Sequence, residues 1–275
     1  MLEPGRDIRV KRLEDRDEIF SILNKDRLYA AYAIGDLEGG MFDKCQWAAT
    51  YEDGRATALC LLFKGLVPNA VFCMGQSDGL ALILGSAMRP GRVLFAARPD
   101  HVSTLRAYYD LEAPERLIRM AVTARTFRPA LGRAERLSSQ DIHGLNTLYR
   151  LGGGSGFAPY QISQGIFYGV RVDGQLVATA GTHVVSPRYG IACVGNVFTH
   201  PAYRGRGYAS ACTSAVVRDV LEAGCGDVVL NVRQDNAPAI QVYQNLGFSE
   251  HSRYEEVPGT RRGSLGALLQ RLFVG

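Results

Sequence analysis

The sequence predicts an α/β protein made of two tandem copies of one unit, and three observations carry that prediction. Two β-hairpin patterns repeat at a fixed offset. A segment with helical apolar spacing precedes each hairpin. A further apolar strand follows each one. The first hairpin joins Trp47–Tyr51 to Ala56–Phe63 around Asp53-Gly54, and the second joins Phe167–Val172 to Gln175–Ala180 around Asp173-Gly174. Asp-Gly supplies the positive φ that a tight hairpin turn needs. The two turns lie 120 residues apart, Pro68 and Pro187 lie 119 apart, and Cys73 and Cys193 in the next strands lie 120 apart. Self-similarity at a fixed period is the mark of a duplicated unit.

Size and composition agree. The chain has 275 residues, 47% of them hydrophobic and 21% charged. It is long enough to bury a sizeable core without staples and has the composition of a globular protein, which excludes disordered and collagen-like classes. The longest apolar runs, Ala56–Phe63 and Leu80–Leu84, fall far short of the ~20 residues that span a bilayer, so no membrane association is expected. Met1–Lys11 is charged and has no apolar core, so a secretory signal is not expected. The net charge of +4, from 31 basic and 27 acidic residues, is mild and forms no dense basic stripe. That argues against a nucleic-acid partner. The six cysteines are scattered, form no C-x-x-C pair and sit mostly in apolar segments. They read as reduced, buried thiols of a cytoplasmic protein, with no metal site.

The elements follow in order. Asp17–Leu28 places Ile19, Phe20, Leu23 and Leu28 at helical spacing, and the first hairpin and the strand Ala70–Met74 come after it. Ala124–Arg136 is basic and poor in apolar residues, with Pro129 and Gly132. It sets an expected boundary between domains 1–125 and 126–275. Ser139–Leu151 reads as a helix capped by Ser138 or Ser139. Leu151–Gly156 is glycine-rich and reads as a mobile loop before the second hairpin. In the C-terminal stretch, Leu265, Leu268, Leu269, Leu272 and Phe273 share one helical face. We read that face as packing on its own domain, with a homodimer contact as the second reading.

Ile191–Phe248 carries the chemistry. Ile191–Phe198 reads as a buried strand, Thr199–Tyr203 breaks it, and Arg204-Gly-Arg-Gly-Tyr-Ala209 leads into a helix with Ala209, Cys212, Val216, Val220 and Ala223 on one stripe. Gly224 stops that helix. A second strand, Asp227–Val232, follows. Asp235 or Asn236 then caps a short helix that ends at Gly247-Phe248. A strand, a glycine-containing loop and a helix start together make an anion site. The first amides of the helix have no intrahelical acceptor, and the helix dipole favours negative charge there. Arg204 and Arg206 add charge. No Walker A string is present. A dinucleotide fingerprint fails because Ser210 stands where its third glycine belongs, and Asp227 opens its strand instead of closing it.

Arg204-x-x-Gly207-x-Ala209, with Asn236, Ala239, Tyr243, Gly247 and Phe248 in order and spacing about 30 residues on, resembles the GNAT superfamily of acyl-coenzyme A N-acyltransferases. The resemblance covers roughly residues 133–257. The N-terminal half resembles the family only through the repeat, with Gln76–Gly79 in place of the basic glycine loop, and is expected to be a degenerate copy. The resemblance implies an α+β GNAT fold, a mixed, mostly antiparallel sheet flanked by helices. It implies acetyl-coenzyme A, or another acyl-coenzyme A, as co-substrate and a small-molecule amine as acceptor. Backbone groups of Val197, Phe198 and Thr199 are then expected to bind the pantetheine arm and acyl carbonyl. The loop Arg204, Gly205, Arg206, Gly207, Tyr208, Ala209 and Ser210 is expected to bind the pyrophosphate. Asn236 and Ala239 complete the cofactor set, and Tyr243 is the candidate proton donor to the leaving thiolate.

Many family members carry an acid on the strand before the glycine loop. This strand has none, so the general base is open among His183, His200, Glu255 and Glu256. A non-catalytic acyl-coenzyme A sensor is the alternative function, and a nucleotide-binding or interaction module is a second one.

Overall fold

A computed structural model of the chain describes residues 7–153 and 156–263. The leucine-rich face of 264–273 and part of the glycine loop lie outside the described residues. The chain divides into two compact units, residues 7–117 with 253–263, and residues 118–252. The sequence set the boundary at 125/126, in an exposed and basic stretch. That stretch is tied into the second unit: the Arg128 amide donates to the Leu246 carbonyl at 3.0 Å and the Ala130 amide to Ser214 Oγ at 3.0 Å. No described helix is long and apolar enough to cross a membrane.

The first unit contains β1 (Ile8–Leu13), α1 (Arg16–Leu23), α2 (Ala31–Gly35), β2 (Cys45–Glu52), β3 (Arg55–Phe63), β4 (Asn69–Gly75), α3 (Ser77–Leu82), β5 (Arg92–Ala97), α4 (Val102–Tyr108), β6 (Tyr109–Leu111) and the start of β7 (Glu115–Thr123). The helix expected over Asp17–Leu28 is shorter. Asp15 caps α1 by accepting the Glu18 amide, and Asn24–Asp26 tightens into a 3₁₀ turn. Antiparallel ladders join β1 to β2, β2 to β3 and β3 to β4, and β4 runs parallel to β5.

The second unit contains the rest of β7, β8 (Glu135–Arg136), α5 (Ile142–Arg150), α6 (Pro159–Gln164), β9 (Phe167–Val172), β10 (Gln175–Ser186), β11 (Ile191–Thr199), α7 (Tyr208–Glu222), β12 (Asp227–Arg233), α8 (Ala237–Asn245) and the start of β13 (Ser249–Arg261). Its strand order is β8-β9-β10-β11-β12-β7. Here too the first pairs are antiparallel and the β11–β12 pair is parallel. The two units thus repeat one order of ladders, as the 120-residue offset predicts. The rest of β13, from Arg253, belongs to the first unit, where it pairs β5 and β6 antiparallel.

Both Asp-Gly turns form as expected, with φ of 50° at Asp53 and Asp173 followed by 77° and 79° at Gly54 and Gly174. The second unit has a core on each side of its sheet. Cys212, Val216 and Val220 of α7 pack on Val177, Ala192, Val194 and Val228, with Val197 against the same cluster. Leu145 and Leu148 of α5 pack with Phe167 and Leu176, with Phe198 against that one. Neighbouring strand residues point to opposite faces, so Val197 and Phe198 show that α7 and α5 cover opposite faces. Each fully buried apolar side chain contributes about 1.5–3 kcal/mol. The cysteines are all free, and all but Cys45 are buried.

Candidate active site

The parallel pairing of β11 with β12 runs from Ile191–Val194 against Asp227–Leu230 and stops there. Both strands continue, β11 to Thr199 and β12 to Arg233. A cause is visible on β11. Its ladder with β10 shifts register twice, between Thr179 and Gly181 and between Thr182 and Val184, and Asn196 sits at φ 53°. Such bulges bend a strand and end its pairing. On β12, the side chain of Asn231, the residue after the last pair, accepts a 2.9 Å hydrogen bond from Nε of the buried Arg119. The result is an opening beyond Val194 and Leu230, where Gly195–Thr199 have no ladder partner on β12.

The glycine loop lies beyond the end of β11. His200 Nδ1 accepts the Ala202 amide at 3.2 Å, Arg204 Nε donates to the Thr199 carbonyl at 3.3 Å, and the Arg206 guanidinium stands 5.0 Å from the Tyr203 ring centre. These contacts shape the loop and leave its outer side bare. Gly205 and Gly207 have φ of 76° and 78°, and a Cβ built on either meets nothing within 4 Å. Gly207 is the N-cap of α7 and offers no side-chain cap. The amides of Tyr208, Ala209 and Ser210 are therefore the orphans of a 15-residue helix. Arg204 through Gly207 are exposed and the next three residues half-buried. Thr199 Oγ1 is buried and has no hydrogen-bond partner among the described residues. Open glycines, uncapped amides and one orphaned hydroxyl fit a diphosphate followed by a polar arm.

Asn236 does something the sequence reading gave only as one choice. Its Oδ1 accepts the Ala239 amide at 3.2 Å and caps α8. The Ala239 amide is thereby used, and its side chain packs on the core. Tyr243, on α8, is 6% exposed, and its ring lies 6.0 Å from Phe248. Burial pushes its phenol up to about 12, so it keeps its proton at neutral pH. Its hydroxyl has no protein hydrogen-bond partner among the described residues.

Three further residues stand at this place without a motif to announce them. Tyr149 of α5 donates to Asn196 Oδ1 at 3.3 Å, packs edge-on to Phe157 at 4.6 Å, and has its pKa raised by burial and by the nearby Tyr243. Asn146 holds the following loop in a two-point clamp, accepting the Phe157 amide at 2.6 Å and donating to the Phe157 carbonyl at 3.1 Å. The described part of the glycine-rich loop is therefore anchored: a Cβ on Gly152 would lie 2.5 Å from the Phe198 ring. Arg119 was legible only as a charge inside the apolar run Leu117–Val122. Of the candidate bases, His183 lies against Gly195, its Nε2 2.1 Å from where a Cβ would stand. It is exposed, and desolvation by the protein atoms beside its ring lowers its pKa. His200 is used in the loop turn, and Glu255 pairs with Arg116 in the first unit. Among the described residues no group of three metal-ligating side chains occurs.

The equivalent place in the first unit is closed. The β4–β5 pairing also stops after four pairs, at Phe72 and Ala96. There the Tyr29 hydroxyl donates to the Cys73 carbonyl at 2.9 Å, with the Tyr29 ring 5.0 Å from Phe72 and under the Arg98 guanidinium. The loop is tight: a Cβ on Gly75 would lie 2.3 Å from the Thr57 carbonyl oxygen.

Comparison with known proteins agrees with this geometry. Residues 147–248 match the model of the acetyltransferase (GNAT) family. A mycothiol acetyltransferase of Tsukamurella paurometabola is 36% identical over 84 residues, 30% of this chain and 29% of that protein. One from Corynebacterium jeikeium is 49% identical over 45 residues, 16% of this chain and 13% of that protein. The matched stretches span less than a third of these relatives. Among solved structures, a GCN5-related N-acetyltransferase from Sphaerobacter thermophilus superposes with a TM-score of 0.61 at 16% identity, covering 94% of this chain and 97% of the other. A tandem GNAT protein from the clavulanic acid biosynthesis pathway does so with a TM-score of 0.55 at 13% identity, covering 94% and 99%. At such identities the likeness is one of fold.

Proposed function

We propose that this chain, whose residues 147–248 form a domain of the GNAT acetyltransferase family, moves an acetyl or other short acyl group from acyl-coenzyme A to a primary amine of a small molecule or amino acid. The observation that carries the reading is the opening between β11 and β12, aligned with an uncapped helix start. On this reading the second unit, residues 118–252, is the catalytic one and the first unit a degenerate copy. The amides of Gly205–Ser210, with Arg204 and Arg206, grip a diphosphate. The free edge at Val197–Thr199 receives the pantetheine arm as a short extra strand. A fixed backbone amide on that edge meets the oxygen on which charge develops as the amine attacks, and such donors are among the larger catalytic terms. Tyr243 holds the proton that the leaving thiolate takes.

β11 bears no acid. We assign acceptance of the amine's proton to His183, which stands where the strands part and is neutral at pH 7 because desolvation lowers its pKa. Tyr149, Phe157 and the clamped loop wall the acceptor side. The names of the mycothiol acetyltransferase relatives support the reaction class. A steady-state thiol-release assay with acetyl-coenzyme A and a panel of amines tests the proposal. Turnover that saturates in an amine is the expected result. Tight cofactor binding with no turnover on any amine would favour the acyl-coenzyme A sensor.

A further inference from the structure

The second unit holds a cavity of about 650 Å³ that shares no lining residue with the opening just described. Its walls are the outer side of α7, the segment 130–135 and β9. The cavity is built by close backbone approach. Gly132, at φ 136°, stands where a Cβ would come 3.0 Å from the Ala211 Cβ, and Ser214 Oγ ties the Ala130 amide across the helix at 3.0 Å.

The charges around it sort into two groups. Arg171 pairs with both Glu135 and Asp141, which leaves one negative charge in excess there, and Asp219 takes both Arg136 and the Tyr168 hydroxyl. Arg133 and Arg218 also line the cavity, are exposed, and have no ionic or hydrogen-bond partner among the described residues. Two unpaired guanidiniums on one concave surface present planar forks of donors. A carboxylate or phosphate fits such forks in bidentate fashion, and the volume lies in the range of small-molecule sites.

We propose that this cavity is a second ligand site, independent of acyl transfer, for a small organic anion whose carboxylate or phosphate is held between Arg133 and Arg218. The test is isothermal titration of the full chain with succinate and, separately, with inorganic phosphate at low salt. It is run in parallel in the parent and in a Gly207→Glu background, so that anion binding at the helix start of α7, which that change weakens, is told apart from binding in the cavity. Saturable one-to-one binding is expected, weakened roughly tenfold or more in Arg133→Ala and in Arg218→Ala. The stronger probe identifies the head group. Both arginines are exposed and unpaired, so thermal stability of these variants should be unchanged, which separates lost binding from lost fold. No saturable binding of either probe, or an unchanged Kd in the double variant, overturns the proposal.

Discussion

Replacing Gly207 tests the diphosphate grip in a way that separates charge from fold. At φ 78°, any non-glycine residue pays roughly 1–2 kcal/mol for the left-handed conformation, and this applies equally to Ala and Glu. Neither side chain meets protein atoms, because a Cβ here has nothing within 4 Å. A carboxylate at a helix start is favourable by about 0.3–1 kcal/mol, so the Glu variant should fold at least as well as the Ala variant. Binding is where they diverge. A carboxylate about 4 Å from a phosphate oxygen is repelled by about 1 kcal/mol in water and about 4 kcal/mol at an effective dielectric of 20. The exposed loop lies toward the weaker end, which gives a loss of roughly tenfold for each 1.4 kcal/mol. Titration calorimetry with coenzyme A should show the Glu variant at least about fivefold weaker than the Ala variant, with the gap narrowing as salt rises. Equal affinity in the two variants, or a gap that salt leaves untouched, would refute the reasoning.

Three other outcomes follow from the site and its surroundings. Tyr243→Phe removes no protein hydrogen bond, so stability should hold while kcat falls on the order of 10²-fold with coenzyme A affinity unchanged; pre-steady-state thiol release measures it. His183→Asn should lower kcat/KM and remove the acidic limb of its pH profile, a limb that desolvation places below the ordinary histidine range; a profile identical to the parent's would point to an amine that needs no base. Asp36, in the first unit, has its carboxyl raised by burial to about 7 from 3.8. The folded state therefore holds a proton that the unfolded state releases, and stability falls with rising pH between those values by up to about 1.4 kcal/mol per unit. Asp36→Asn should match the parent in acid and exceed it at neutral pH in chemical denaturation; a gap constant with pH would sink that reading.

Much of this was legible in the sequence because the signals are local. Asp-Gly turns, a glycine loop before an amphipathic helix, and Asn236 at a helix start each fix backbone geometry within a few residues. What escaped depends on distant parts of the chain. Arg119 reaches Asn231 across 112 positions, and Tyr149 reaches Asn196 across 47. No window of sequence holds both members of such a pair. The unit boundary escaped for a different reason. Composition marks exposure, and Ala124–Arg136 is exposed, but exposure does not separate a linker from a surface strap hydrogen-bonded to its own domain. Asn236 was legible as one of two candidate caps beside Asp235, and the 3.2 Å bond to the Ala239 amide selects it.

The two units share one ladder order, and their parallel ladders each stop after four pairs, so the parting of the strands is a property of the repeat and not of the second unit alone. What differs is what stands in the gap. In the second unit Gly195–Thr199 have no ladder partner on β12; in the first, Tyr29 takes the freed carbonyl of Cys73, and its ring is 1% exposed. Restoring a glycine loop after β4 would therefore not give the first unit a cofactor site. The aromatic plug would also have to leave, at a cost of about 3–5 kcal/mol for a large buried ring replaced by alanine. If the first unit is a copy that has given up cofactor binding, as proposed above, filling its own cleft locks that change in: each step back must cross the packing energy that the plug contributes.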